Sequence, residues 1–223
     1  MNDNNGNQHK LNILMSQFNP SSKFAEQYRI IRTNIQYSSE GEDIQSIVVT
    51  SVDLGEGKTT TVANLGVVLA QQGKRVLIVD ADIRKPSLHR FFDKSNYRGL
   101  TNILLDRTSL DGVVMPTTIK NLDLLPSGPI PKRDSDLLGT EKMEQLMEEI
   151  KKLYDIVIMD SPPIIENADA QVLANICDGS IMVMKSGITK KDQAIIAKNT
   201  LVNCKSKLVG AMLNGKKDVR LVL

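Results

Sequence analysis

The chain has no tryptophan, four phenylalanines, four tyrosines, two histidines and two cysteines among 223 residues. So few aromatics leave the core to branched aliphatic residues and methionine, and so few histidines and cysteines exclude a zinc cage or a disulfide scaffold. Cys177 and Cys204 stand far apart without C-x-x-C spacing, as in a reducing compartment. A dominant charge is missing too: Lys plus Arg number 28 against 26 Asp plus Glu, a formal +2, so no overall field points to nucleic acid. The basic runs at Arg84-Lys85, Lys190-Lys191, Lys205 with Lys207, and Lys216-Lys217 with Arg220 read as solvated surface. No stretch approaches the ~18 consecutive apolar residues of a membrane span, and the first twenty residues lack the apolar centre of a signal peptide. These absences predict a cytosolic chain, with residues 1–20 a flexible polar start and residues 21–223 a single α/β domain.

What is present centres on residues 50–65, TSVDLGEGKTTTVANL. The apolar Ile47-Val48-Val49 precedes this stretch, and Val62, Leu65, Val67, Val68 and Leu69 follow at near-helical spacing, so strand, glycine turn and helix is the implied order. Such a turn leaves backbone N–H groups unpaired and aimed at one spot, where the helix dipole also favours negative charge. A phosphate chain fits there. Gly55 and Gly57 supply the unusual backbone angles, Lys58 a charge for the β- and γ-phosphates, Thr59 a hydroxyl for magnesium, and Thr60 the next turn of the cradle. The pattern G-x-x-x-x-G-K-[ST] is met except that Val52 stands where its first glycine belongs. Glu56, between the two glycines, lies within this cofactor-binding run but has no phosphate to bind and is expected to point outward.

Further along, Phe24, Tyr28, Ile31 and Ile35 recur at helical spacing, with Glu26, Arg29 and Arg32 three apart on what should be the opposite side. Residues 38–43 form a polar break. Strands are predicted at 47–50, 75–80, 122–125, 156–160, 180–184 and 208–214, and a helix from Lys58 to about Gln72, ended by Gly73. A short helical piece is expected near 100–105. The polar PSGPIPKRDSD loop then leads to an amphipathic helix with Met143, Leu146, Met147, Ile150 and Leu153 on one face. Thr189 followed three residues later by Asp192 suggests a capped helix start. Apolar strands alternating with helices predict a parallel sheet covered on both faces, and the methionines read as core filler.

Ligands of open α/β sheets sit at the carboxyl edge of the strands. Asp160 closes DIVIMD, where an aspartate can hold magnesium, and Asp80 and Asp82 close RVLIVDAD with both side chains on one side of the extended chain. Two adjacent acids repel unless a cation lies between them.

Together LGEGKTTTVANL, VLIVDADIRKPSLHRFF, LPSGPIP and YDIVIMDSPPI resemble the bacterial tyrosine kinases, or BY-kinases, of the CpsD/CapB type in capsule and exopolysaccharide systems. FAEQYRIIRTN matches that family's E-x-x-R-x-x-R helix at Glu26, Arg29 and Arg32, and the resemblance runs over residues 22–214. It implies a P-loop NTPase-type fold like that of MinD and ParA, with ATP and magnesium as cofactors and tyrosines on proteins as substrates. It also implies a homo-oligomeric ring and a membrane-bound activator of the polysaccharide co-polymerase type, which recruits the kinase to the inner face of the cell membrane. Carried over, Asp80 is the base that accepts the tyrosine proton, Asp82 a magnesium partner, and Asp160 and Thr59 its further ligands. Lys58 grips the phosphates, Asn214 resembles the adenine-binding asparagine of related ATPases, and Glu26, Arg29 and Arg32 serve oligomerisation.

The family usually ends in a tyrosine cluster. Here the tyrosines are Tyr28, Tyr37, Tyr97 and Tyr154, and the sequence closes NGKKDVRLVL. Leu54 and Arg133-Asp134 also depart from commoner family residues. The alternatives are a MinD/ParA-like ATPase switch and an adaptor with residual ATP binding. The switch proteins carry a signature lysine where this chain has Asp53, and they lack the Asp-x-Asp-x-Arg continuation of Asp80, Asp82 and Arg84.

Overall fold

Six short apolar runs become the strands of one sheet because each is bounded by a turn and flanked by a helix long enough to cross back over it. In the computed structural model, which describes residues 21–38, 44–131 and 136–215, the chain opens with helix α1 (Lys23–Ser38) and strand β1 (Ser46–Ser51). There follow α2 (Lys58–Ala70), β2 (Val76–Asp80), α3 (Leu88–Phe91), α4 (Leu100–Leu104), β3 (Met115–Pro116) and β4 (Leu122–Leu125). The second half holds α5 (Glu141–Leu153), β5 (Ile156–Asp160), α6 (Ala168–Ile176), β6 (Gly179–Lys185), α7 (Lys191–Val202) and β7 (Lys207–Asn214). The polar start, most of the break after α1, residues 132–135 and the basic end from Lys216 lie outside the described residues.

The strands run in the order β3-β4-β2-β5-β1-β6-β7, parallel throughout except for the antiparallel β3–β4 pair. Because side chains alternate along a strand, the sheet divides the interior into two cores. Val48, Leu77, Val79, Val157 and Met159 face α4 to α7, whereas Ile47, Val49, Val76, Ile78 and Ile158 face α1 to α3. The helix pattern follows the same logic: Met143, Leu146, Met147 and Ile150 of α5 are buried, although Leu153 at its last turn is 45% exposed. Apolar area at ~25 cal/mol per Å² makes these two cores the main source of stability.

Four elements depart from the sequence reading. Helix α6 and the two-residue β3 carry too short a pattern to be told from loop. Helix α7 starts at Lys191, one residue past an N-cap at Lys190 that makes no side-chain cap, because Thr189 is engaged elsewhere. Strand β7 is an edge whose residues are mostly half-buried or exposed, so the cover on both faces expected of the whole sheet thins there.

Candidate active site

The order β2-β5-β1 brings the carboxyl ends of three adjacent strands together, and the strand ends supply the chemistry. The turn after β1 reaches Gly55 at φ 73° and Gly57 at φ 101°, and α2 begins at once with Lys58. Both angles lie in the left-handed region that only glycine enters at little cost. A Cβ on Gly57 would also stand 2.1 Å from the side-chain nitrogen of Asn214, whereas one on Gly55 would meet nothing within 4 Å. Gly57 provides no side-chain cap, so the first N–H groups of α2 remain directed into the turn. Lys58 is 7% exposed at the base of this cradle.

Glu56 departs from the expectation of an outward side chain. It is 1% exposed, and its Oε2 accepts the backbone N–H groups of Val52 and Asp53 at 2.9 and 3.0 Å. Its Oε1 accepts the hydroxyl of Thr189. A carboxylate stays buried only with such donors, and these three supply them. Asn214 donates its side-chain amide to the Glu56 carbonyl at 3.0 Å, which places it against the glycine turn.

Asp80 and Asp160 close neighbouring strands and are register partners. Asp80 is fully buried, and its Oδ2 accepts the N–H groups of Ser87 and Leu88, each at 2.9 Å. Its Oδ1 has no hydrogen-bond partner, and neither has Oδ1 of Asp160. Burial, then the neighbouring Asp160 and Asp82, hold the Asp80 carboxyl well above the usual carboxylate range. Burial likewise pushes Asp160 up to about 7, with Asp82 adding to the rise, while the Thr59 hydroxyl and the Lys58 ammonium oppose it. Asp82, 8% exposed, accepts the N–H of Lys85 at 3.1 Å.

These residues fit a magnesium ion. Unpaired carboxylate oxygens in a dry site beside a hydroxyl are what a hard cation takes, and magnesium keeps much of its shell for waters and phosphate oxygens. Lys58, Thr59, Asp80, Asp82 and Asp160 thus come together, with Thr60 in the first turn behind them.

Other sequence-predicted residues are placed elsewhere. Arg29 pairs with Glu26 on the exposed side of α1. Arg32 turns inward instead of outward, donating to the Val68 carbonyl at 3.1 Å, because the end of α2 offers orphan carbonyls within reach of a long side chain. Residues the sequence reading missed include Ser87, whose hydroxyl lies 3.2 Å from that of Thr59, and Asp169, 3.5 Å from Arg84. Thr189 was visible only as a helix-cap signal.

Residues 44–186 match the AAA domain family. The chain is 49% identical over 214 residues to the tyrosine-protein kinase YwqD of Bacillus subtilis (strain 168), covering 96% of this chain and 90% of that one. It is similar to the crystal structure of the chimerical protein CapA2B2, with a TM-score of 0.87 at 36% identity over 91% of this chain and 89% of the other. The septum site-determining protein MinD of Pyrococcus horikoshii OT3, complexed with Mg-ADP, shares the fold at a TM-score of 0.65 and 23% identity, covering 76% of this chain and 69% of that one.

Proposed function

The chain belongs to the bacterial tyrosine kinases of the CpsD/CapB type, and from that premise we propose that it phosphorylates protein tyrosines with ATP in a capsular or extracellular polysaccharide system. The observation that carries the site assignment is the pair of unpaired oxygens on Asp80 and Asp160 beside the glycine turn.

In this reading the backbone N–H groups from Gly57 to Thr60 and the Lys58 ammonium hold the phosphates and keep the γ-phosphoryl in line. Thr59, Asp82 and Asp160 hold magnesium, which when bound neutralises charge on the phosphate oxygens. Asp80 is oriented by the N–H groups of Ser87 and Leu88 on one oxygen, which leaves the other to accept the phenolic proton as the phenolic oxygen bonds to the γ-phosphorus and the bond from that phosphorus to the β,γ-bridging oxygen breaks, releasing ADP. Only modest base strength is needed, since phosphoryl transfer depends chiefly on positioning and charge neutralisation. Asn214, whose amide lies against the glycine turn, lines the base end. The activator is a membrane-bound protein of the polysaccharide co-polymerase type that recruits the kinase to the inner face of the membrane. Glu26 and Arg29 lie on the exposed side of α1, available to a neighbouring copy in a ring.

Purified protein incubated with ATP, magnesium, an activator fragment and a tyrosine-bearing protein should yield phosphotyrosine, and Lys58→Met should abolish it. Loss of that charge-assisted contact costs about 2–3 kcal/mol of nucleotide binding. Nucleotide hydrolysis without any phosphotyrosine would instead favour an ATPase switch.

A further inference from the structure

Glu56 puts a buried carboxylate inside a loop shaped to receive anions, an arrangement that repels phosphate unless the side chain has another task. The contacts show where it is committed. Oε2 takes the Val52 and Asp53 N–H groups at 2.9 and 3.0 Å, and Oε1 takes the hydroxyl of Thr189, 133 residues away. That hydroxyl oxygen in turn accepts the Lys185 N–H at 2.7 Å. On the same side of the loop, Lys185 Nζ donates to the Gly55 carbonyl at 3.4 Å and Asn214 to the Glu56 carbonyl at 3.0 Å. Lys185 and Asn214 are register partners at the ends of β6 and β7, so the tethers rise from one rigid ledge.

We infer that Glu56 is a positioning residue, fastened through Thr189 to the turn between β6 and α7, and that this latch holds the phosphate loop in its binding shape. The inference rests on the nucleotide-site reading above. By drawing off the N–H groups of Val52 and Asp53, the carboxylate leaves those nearer the start of α2 for phosphate. It also anchors the approach to two glycines whose left-handed angles have no side-chain packing to hold them. The ledge that carries Asn214 and the loop that grips the phosphates therefore move as one piece, so the two ends of the nucleotide are bound with a fixed separation.

The test compares Thr189→Val, Thr189→Ser, Glu56→Gln and their combinations for Mg-ADP affinity by calorimetry and for thermal unfolding without nucleotide. Thr189→Val should weaken Mg-ADP binding about 5–10-fold, the scale of one buried hydrogen bond, and Thr189→Ser should restore it to within about twofold. Joining Thr189→Val to Glu56→Gln should weaken binding no further than the worse single change, because both break one connection. Wild-type affinity in Thr189→Val overturns the latch, and so does a drop in unfolding temperature with affinity unchanged, which marks a purely structural contact. Should Thr189→Val fail to fold, the same contrast is read between Glu56→Gln and Thr189→Ser, and equal wild-type affinity in both overturns it. Lys58→Met in the same calorimeter separates the two failures: wild-type binding by that variant sinks the nucleotide site itself, whereas lost binding there with none lost in the Thr189 and Glu56 variants sinks only the latch.

Discussion

Asp80 and Asp160 face each other as register partners on β2 and β5, and each buries one carboxylate oxygen that no protein group satisfies. Charge placed so deep is unfavourable in the ligand-free protein and becomes favourable when a cation arrives. Function and stability therefore pull in opposite directions at the same two side chains.

This opposition gives a pH dependence. The Asp160 carboxyl is raised to about 7 in the folded protein, from an ordinary value of 3.8. A raised value means the folded state favours the protonated form, so its contribution to stability is full below about pH 4 and is lost as pH rises through 7. Without nucleotide or magnesium, Asp160→Asn should unfold at a temperature that gains on wild type by several degrees between pH 4.5 and 7.5, at roughly 2–4 °C per kcal/mol for a chain of this size. A difference that stays flat across that range counts against the buried-charge account.

Gly55 and Gly57 separate two reasons for glycine. Gly55→Ala meets only the backbone penalty of a left-handed residue, about 1–2 kcal/mol. Gly57→Ala meets that penalty and also drives its Cβ into the Asn214 amide, so it should be the more destabilising and should reduce nucleotide affinity more. Thermal melts and Mg-ADP titrations of the two variants check the order, and equal losses would show that the approach of Asn214 is not what restricts position 57.

The four tyrosines differ in access. Tyr28 is 4% exposed with its hydroxyl pushed up to about 12 by burial, and the Tyr154 hydroxyl donates to Asp123 at 2.9 Å, whereas Tyr37 and Tyr97 are 81% and 89% exposed. Any autophosphorylation of this chain should therefore fall on Tyr37 or Tyr97. Phosphopeptide mapping after incubation with ATP and magnesium decides it; phosphate on Tyr28 would require α1 to come away from the sheet, and phosphate on Tyr154 would require its hydroxyl to leave Asp123.

Arg29 and Arg32 should part company on mutation. Arg32→Ala removes the bond to the Val68 carbonyl, at a cost of about 0.5–1.5 kcal/mol and a lower melting temperature. Arg29→Ala removes a surface pair with Glu26, worth a few tenths of a kcal/mol, so a large change in oligomer size with little change in melting temperature marks a contact between copies. Light scattering and melting curves on each variant distinguish them, and an unchanged assembly in Arg29→Ala removes that residue from the ring interface.

Much of this arrangement was legible because it is local. Continuous apolar strand runs, the glycine turn into α2 and the acids at the ends of β2 and β5 all sit within a few residues of the pattern that announces them. What escaped is long-range. Glu56 reads as a loop acid until Thr189 is beside it, and Thr189 reads as a helix cap until Glu56 claims its hydroxyl. Arg32 fits the exposed stripe of α1 by spacing, yet its reach lets it bend back to the end of α2. Helix α6 was missed because nine residues give only about two and a half turns of apolar repeat.

The sheet has unlike borders. On one side it stops at β3, two residues long and ending in Pro116, which has no N–H to offer a further strand. On the other, among the described residues, it stops at β7, eight residues long with each residue half-buried or exposed. Among the described residues, growth of this sheet by an added strand is thus a one-way affair: a stray extended segment from an unfolded neighbour finds a template at β7 and none at β3. Aggregation of this protein, where it occurs, should begin at that border, and a single proline placed in β7 at an outward-facing N–H would close it.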